Sequence, residues 1–202
     1  MTGAPVQVGV VGLGYWGPNL ARNFDRLPGA SLRWICDASD EQRARMAPQF
    51  PDTRVAADFA ELLEDPDLEA VVIATHVPSH PALALRALEA GKHVFVEKPL
   101  AQSVAEAEQV VDAARDAGRV LMVGHLLEYH PGVERLKEIA DSGELGNLHY
   151  IYSNRLNLGK LRADENALWS LGAHDVSVLL HLAGEEPSHV EARGKGYVRG
   201  DV

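Results

Sequence analysis

Short apolar runs alternate with stretches of helical periodicity through the first part of the chain. Six apolar runs predict β-strands, at residues 8–11, 31–36, 54–56, 69–74, 92–96 and 119–123. The stretches between them predict helices near residues 18–22, 40–46, 59–64, 81–90 and 103–117. Ser79 and Ser103 stand as N-caps before the last two of these helices. Because strands and helices alternate, the pattern predicts an α/β fold with a doubly wound parallel sheet.

The pattern changes near Gly124. Beyond it, the sequence predicts helices at 133–142 and 175–183 and strands at 148–157 and 189–197. We therefore place a domain boundary there, with residues 1–124 as the α/β domain and residues 125–202 as the start of an α+β domain. Two strands and a helix cannot bury a large sheet face alone. We expect this second domain to be incomplete, either because the chain is shortened or because a partner completes the sheet.

Composition and charge limit the partners of the chain. A net charge of −10 argues against a general nucleic-acid-binding surface. The single cysteine, Cys36, lies inside an apolar run, so no disulfide framework is expected and a reducing cytoplasm fits. No apolar stretch has the length of a membrane span, and the N-terminal residues lack a signal-peptide pattern. We expect a cytoplasmic protein that binds neither nucleic acid nor a membrane.

The first strand runs directly into a G-x-G-x-x-G turn, and a predicted helix follows the turn. Gly12 allows the sharp turn, Gly14 allows the backbone to approach a pyrophosphate, and Gly17 allows the helix to pack closely on the strand. Tyr15 and Trp16 complete the turn. The N-terminus of the helix offers free N–H groups and partial positive charge to phosphates. This context predicts a dinucleotide-binding site.

An acidic residue follows the second strand at the position where such sites bind the adenosine ribose. Asp37 lies 20 residues after Gly17. A carboxylate there accepts hydrogen bonds from the ribose hydroxyls and repels a 2′-phosphate, so NAD is favoured over NADP. The alternative is a glycine-rich turn in which Asp37 only caps the helix that starts near Glu41.

Three segments resemble the Gfo/Idh/MocA family, the group of glucose-fructose oxidoreductase, inositol dehydrogenase and rhizopine-catabolism proteins. They are the glycine turn at 11–17, the segment 73–80, and above all Ala-Gly-Lys-His-Val-Phe-Val-Glu-Lys-Pro-Leu at 90–100. The resemblance implies that residues 1–124 form an NAD-binding Rossmann domain. It also implies that residues 125–202 begin a domain with an open, mostly antiparallel sheet that covers the nicotinamide. Family sheets often pair in oligomers, so a homodimer or homotetramer is expected by analogy.

The resemblance also assigns proton chemistry to Lys98, which matches the active-site lysine of the family's Glu-Lys-Pro motif. A lysine beside a nicotinamide can polarise or deprotonate a substrate hydroxyl. Glu97 would orient or charge-pair near it and contact the cofactor, and Pro99 would fix the turn, as a cis peptide in one form. The alternative is an ordinary surface lysine that follows a strand.

His174 matches the family's second active-site residue. The family carries an aspartate four residues before this histidine, but this chain has Ser170 there. A lysine–aspartate–histidine relay therefore cannot be transferred whole. His174 would accept the proton with Lys98 holding the substrate oxygen, and Ser170 would form hydrogen bonds to substrate. The alternative makes His174 and Asp175 a simple helix N-terminus.

Further cofactor and substrate contacts are expected in three loops. Ala74 and Thr75 follow a buried strand and are expected against the nicotinamide ribose or a phosphate. His125 opens the second domain close to the expected substrate position. Charged and amide side chains after the strand at 148–157 suit an anionic substrate such as a nucleotide diphosphate sugar, namely Arg155, Asn157 and Lys160. No metal is implied, because ligand spacing is lacking and hydride chemistry needs none.

These features together predict an NAD-dependent oxidoreductase that transfers a hydride from a sugar hydroxyl to the nicotinamide. The substrate expected is a nucleotide sugar, most specifically a UDP-amino sugar. Three alternatives stay open within the same resemblance. They are a polyol or aldose dehydrogenase of the inositol type, a non-catalytic regulator that senses dinucleotides, and an enzyme that cleaves glycosides through transient oxidation.

Overall fold

A six-stranded parallel sheet forms the centre of the first part of the molecule. The computed structural model describes residues 3–156 and 166–196, and the chain divides into two units, Met1–Gly124 and His125–Val202. The strands of the first unit are β1 (Val6–Val11), β2 (Ala30–Cys36), β3 (Arg54–Ala56), β4 (Ala70–Ile73), β5 (His93–Val96) and β6 (Leu121–Val123). Their order across the sheet is β3-β2-β1-β4-β5-β6, and every pair is parallel. The predicted α/β fold with a doubly wound sheet is confirmed.

Helices cover both faces of this sheet. They are α1 (Gly17–Arg26), α2 (Asp40–Met46), α3 (Phe59–Leu63), α4 (His80–Glu89) and α5 (Val104–Asp116). Successive residues of a strand point to opposite faces. On β4, Val72 packs into one buried cluster with residues of α1 and α2, whereas Val71 and Ile73 pack into the other with residues of α3, α4 and α5. The continuous apolar run therefore serves two cores, one on each face.

The helix caps agree with the prediction at one serine and differ at the other. The Ser103 hydroxyl accepts a hydrogen bond from the Glu106 amide at 3.3 Å and caps α5. Ser79 makes no side-chain cap on α4. Its hydroxyl instead donates to the His76 carbonyl at 2.7 Å, so the prediction that Ser79 caps this helix is wrong.

A buried polar cluster joins the loop before β4 to β2 and β5. The Asp65 carboxylate, almost fully buried, accepts from the Arg33 guanidinium at 2.6 Å and from the Trp34 indole at 2.7 Å. The hydrogen bond from Arg33 is the main reason that the pKa of Asp65 lies below its ordinary value of 3.8. The ammonium of Lys92, which is also buried, donates to the carbonyls of Asp65 and Leu68 at 2.8 and 2.9 Å.

The described residues of the second unit form helices and no strand. The helices are α6 (Pro131–Asp141) and α7 (Ala173–Ala183), with a π-helical turn, Leu168–Gly172, directly before α7. The strands predicted at 148–157 and 189–197 are therefore absent from 148–156 and 189–196, and residues 157 and 197 lie outside the described ranges. A strand needs a hydrogen-bonded neighbour, and alternation of side chains alone does not supply one. Within the described ranges, no helix combines the length and the apolar character that a membrane crossing requires.

Candidate functional site

The carboxyl ends of the central strands bring the predicted cofactor residues together. The Gly12 amide donates to the Cys36 carbonyl at 2.9 Å, and the Ala74 amide donates to the Val11 carbonyl at 2.8 Å. The strand order reverses between β1 and β4, so the crevice lies at the switch point of the sheet, where doubly wound folds bind ligands. The predicted residues placed at this edge are Gly12, Gly14, Tyr15, Trp16, Gly17, Asp37, Ala74, Thr75, Glu97 and Lys98.

The three glycines of the turn differ in what surrounds them. Gly12 has a φ of +91°, and a Cβ built on it would lie 2.7 Å from the Ala74 carbonyl. A Cβ on Gly17 would lie 1.8 Å from the Gly12 oxygen, which no packing tolerates. A Cβ on Gly14 would meet no protein atom within 4 Å. Gly12 and Gly17 are thus required by the fold, whereas Gly14 faces open space that a pyrophosphate fits.

Asp37 is held in place by backbone amides on both of its carboxylate oxygens. One oxygen accepts from the Leu13 amide at 2.7 Å, and the other accepts from the Ser39 amide at 2.8 Å. Ser39 caps α2, so the alternative that Asp37 is only a helix cap is wrong. Each carboxylate oxygen has more than one acceptor site, so the anchored group can still receive ribose hydroxyls.

Arg45 is a residue of this edge that the sequence analysis missed. Its guanidinium reaches from α2 to the glycine turn and donates to the Leu13 carbonyl at 2.7 Å. It therefore brings positive charge to the turn and fixes the backbone there. No local signal distinguishes Arg45 from Arg43, which lies two residues earlier and donates to the Asp37 carbonyl instead.

Glu97 connects the glycine turn with the loop after β5. The Trp16 indole donates a hydrogen bond to the Glu97 carboxylate, and the Lys98 amide donates to it at 3.3 Å. Burial raises the pKa of Glu97, against the effect of these hydrogen bonds. Gly124 packs so closely that a Cβ on it would lie 3.2 Å from the carboxyl carbon of Glu97. The Lys98–Pro99 peptide is cis, as the sequence predicted.

Thr75 has a hydrogen-bonding direction that the structure determines. Its hydroxyl lies 2.7 Å from the Ser79 hydroxyl, and Ser79 donates its only proton to the His76 carbonyl. Thr75 must therefore be the donor to Ser79, since a hydroxyl carries one proton. The Thr75 oxygen is left as an acceptor toward the crevice, where it suits a ribose hydroxyl.

In the second unit, Arg155 is engaged by an acidic side chain. Its guanidinium donates to the Asp175 carboxylate at 2.6 and 3.3 Å, and the Ser153 hydroxyl donates to the same carboxylate at 2.8 Å. The hydrogen bond from Arg155 is the main cause that lowers the pKa of Asp175. Asp175 is not the cap of α7, because the N-cap position is Gly172. The pairing reduces the positive charge that Arg155 would offer an anionic substrate, and its substrate role stays a prediction.

The other predicted substrate residues fall at three places. Ser170 lies in the π-helical turn and His174 in the first turn of α7, while His125 begins the second unit. Asn157 and Lys160 lie outside the described residues. Lys98 belongs to the first unit and His174 to the second, so their pairing stays a prediction. Among residues 3–156 and 166–196, no group of three or more acidic, histidine or cysteine side chains could hold a metal ion.

Comparison with known proteins identifies the family. Residues 6–125 match the family model GFO_IDH_MocA, described as an oxidoreductase family with an NAD-binding Rossmann fold. The chain belongs to this family. The predicted resemblance to Gfo/Idh/MocA proteins is therefore confirmed, as are the Rossmann fold and NAD as the cofactor of the family.

Relatives of the Gfo/Idh/MocA family match both units of the chain. An inositol 2-dehydrogenase of Burkholderia multivorans is 34% identical over 188 residues, which cover 90% of this chain and 55% of the relative. The structure of GenD2 from gentamicin A biosynthesis, in complex with NAD, matches with a TM-score of 0.81 and 30% identity over 91% of this chain and 55% of that one. KijD10, a 3-ketoreductase from Actinomadura kijaniata in complex with TDP-benzene and NADP, matches with a TM-score of 0.65 and 27% identity, covering 70% and 45%. The chain spans about half the length of the curated relatives that it matches.

Proposed function

We propose that this chain carries the dinucleotide site and the lysine of an NAD-dependent oxidoreductase that oxidises a sugar or polyol hydroxyl. The observation that carries the proposal is the convergence at one sheet edge of three features. They are the open space at Gly14, the anchored carboxylate of Asp37 and the loop that bears Lys98. A crevice at a switch point with these groups suits an extended anionic dinucleotide.

Each of these groups has a separate task in holding the cofactor. The backbone at Gly14 and the start of α1 would donate N–H groups to the pyrophosphate. Asp37 would accept the hydroxyls of the adenosine ribose, and the Thr75 hydroxyl oxygen would accept a hydroxyl of the nicotinamide ribose. When bound, NAD supplies the hydride acceptor. The Trp16–Glu97 hydrogen bond would keep the glycine turn and the Lys98 loop at a constant separation.

Lys98 and His174 would handle the proton of the substrate hydroxyl. Lys98 would hold the hydroxyl oxygen through its Nζ and stabilise negative charge there as the proton leaves. His174 would take that proton at a ring nitrogen, and Ser170, one turn earlier, would hold a neighbouring hydroxyl of the substrate. The aspartate that the family carries at position 170 is missing, so the histidine would act without a carboxylate four residues before it.

Two substrate classes are compatible with the family. A nucleotide sugar is supported by the likeness to KijD10, which was crystallised with TDP-benzene, and by Lys160 in the adjoining sequence. A neutral polyol is supported by the likeness to inositol 2-dehydrogenases and by the engagement of Arg155 with Asp175. A homo-oligomer and a cytoplasmic location belong to the same proposal. Light scattering of the purified chain tests the oligomer.

The deciding experiment is NADH formation by the purified chain with NAD and either myo-inositol or UDP-N-acetylglucosamine. We expect NADH with at least one of them and none from Lys98→Ala. Lys137→Ala is the matched control, because Lys137 lies on α6 in an ion pair with Asp141. NADH formed equally by Lys98→Ala would refute the role of the lysine. NAD binding without turnover on any sugar would favour the non-catalytic regulator.

The substrate class is tested with a charge reversal at Lys160. If the substrate is a nucleotide sugar, Lys160→Glu should raise KM for UDP-N-acetylglucosamine about tenfold or more, which corresponds to about 1.4 kcal/mol. KM for myo-inositol should stay unchanged in the same variant. An unchanged KM for both substrates would remove Lys160 from the substrate site.

A further inference from the structure

His80 is a buried histidine that the proposed reaction does not use. It is 1% exposed and is the first residue of α4. Its Nδ1 lies 2.9 Å from the Pro99 carbonyl oxygen, and its Nε2 lies 3.1 Å from the Thr75 carbonyl oxygen. Both ring nitrogens therefore face acceptors.

These two carbonyls belong to loops that follow neighbouring strands. Thr75 lies just after β4, in the loop that packs against Gly12 of the glycine turn. Pro99 follows Lys98 in the loop after β5, and β4 and β5 are paired up to Ile73 and Val96. A single imidazole ring thus connects the backbone of the loop predicted to contact the cofactor with the peptide unit next to Lys98.

A neutral imidazole can donate to only one of these carbonyls, because it carries one N–H. Burial is the main cause that lowers the pKa of His80, and the nearby His76 acts in the same direction. The neutral ring is therefore favoured, despite the opposing effect of the two carbonyls. The shorter distance is to Pro99, so the tautomer with the proton on Nδ1 makes the better hydrogen bond.

We propose that His80 is a positioning residue for Lys98, and that its Nδ1–H holds the Pro99 carbonyl and thereby fixes the direction of the lysine side chain. The proposal rests on the proposed role of Lys98. Losing the hydrogen bond lets the 98–99 peptide shift, and a displacement of about 1 Å in a reacting group costs up to about 100-fold in rate.

Three substitutions separate this role from simple packing. In His80→Asn the side-chain amide nitrogen stands near the place of Nδ1 and can still donate to Pro99. In His80→Gln it stands near the place of Nε2 and favours Thr75, while His80→Phe fills the volume and donates to neither. We expect kcat to fall about 10- to 100-fold in His80→Gln and His80→Phe, with KM little changed, and to be largely retained in His80→Asn. The matched control is His93→Asn at the opposite end of β5, which should leave kcat unchanged.

A readout that does not need turnover keeps this test distinct from the test of the proposed function. The rate at which acetic anhydride acylates Lys98 is measured by mass spectrometry across pH, in variants whose circular dichroism shows them folded. The profile of Lys98 should shift in His80→Gln and His80→Phe and match the wild type in His80→Asn. Identical profiles in all folded variants would overturn the proposal, whatever the enzyme does with sugars.

The tautomer is measured on the unaltered chain, so the proposal stays testable even if every variant fails to fold. Nitrogen-15 NMR of the His80 ring should show Nδ1 protonated and Nε2 unprotonated at neutral pH. The opposite tautomer would place the hydrogen bond on Thr75 and contradict the proposal.

Discussion

Replacing Gly14 by alanine separates the cofactor site from the stability of the fold. The new methyl group would meet no protein atom within 4 Å, and Gly14 is not among the glycines with positive φ. Alanine should therefore leave the free energy of unfolding unchanged or raise it by about 0.4–1 kcal/mol, since it restricts the unfolded chain. The methyl group would, however, fill the space through which the pyrophosphate approaches the backbone.

The loss in NAD affinity follows from the hydrogen bonds at stake. A backbone N–H that donates to a charged phosphate contributes about 1.5–3 kcal/mol. Losing one such bond raises Kd about 10- to 150-fold, because each 1.4 kcal/mol is about tenfold. Isothermal titration calorimetry with NAD measures Kd, and urea unfolding measures stability in the same preparation.

Two further glycines provide matched controls. Gly29 also has open space around a built Cβ but lies outside the turn, so Gly29→Ala should change neither quantity. Gly17→Ala should lower stability by about 3 kcal/mol or more, because its Cβ would lie 1.8 Å from the Gly12 oxygen. Wild-type NAD affinity in Gly14→Ala would refute the assignment of this turn to the pyrophosphate.

Three other substitutions test the edge and the buried cluster. Asp37→Ser should lower the preference for NAD over NADP by about tenfold or more, measured as the ratio of the two Kd values, because it removes the repulsion of a 2′-phosphate. Asp65→Asn should lower the free energy of unfolding by about 2–3 kcal/mol, because the Arg33 guanidinium loses its carboxylate. Lys92→Met should lower it by about 2 kcal/mol, because the buried carbonyls of Asp65 and Leu68 lose their donor.

The pH dependence of unfolding checks the Asp65 assignment. Its pKa in the folded chain lies below the ordinary value of 3.8, so its contribution is fully present above that pH and is lost as the pH falls further. Urea unfolding should therefore show a drop in stability below about pH 4 that is smaller in Asp65→Asn. The same drop in both proteins would contradict the assignment. For Asp37→Ser, an unchanged Kd ratio would remove Asp37 from the ribose site.

The sheet and its glycine turn were predictable because their signals are local. Apolar runs bounded by turn residues predicted all six strands, and the buried run at 70–73 predicted a parallel sheet. The roles of Gly12 and Gly17 also followed from the sequence, since the motif occurs between a strand and a helix. The structure agrees with that prediction by placing the Gly17 position against the Gly12 carbonyl.

What the sequence did not predict depends on contacts between distant residues. Lys92 reads as a surface lysine before a strand, but its ammonium is buried against carbonyls more than twenty residues away. Arg155 reads as a cation for substrate, but Asp175, twenty residues later, engages it. His80 reads as a first-turn residue, and its contact with Pro99 exists only because β4 and β5 are neighbours. Periodicity and motif spacing carry no information about such pairs.

The strands predicted at 148–157 and 189–197 are wrong within the described residues for a related reason. Alternating apolar residues indicate that a segment can be half buried in a sheet, but a sheet also needs partner strands. Side chains such as Tyr150 and Tyr152 are largely exposed, at 82% and 77%. The local pattern was real, but the hydrogen-bonding partners that convert it into a strand are not among residues 125–156 and 166–196.

The most direct test of the account is to map NAD on the chain by NMR. NAD is titrated into nitrogen-15-labelled protein, and the backbone amides that shift are assigned. We expect the largest shifts at Leu13–Gly17, Ser39, Thr75 and Lys98, all at the carboxyl edge of the sheet. Shifts confined to the opposite edge, or no saturable shift at all, would contradict the central claim that the switch point between β1 and β4 is the dinucleotide site.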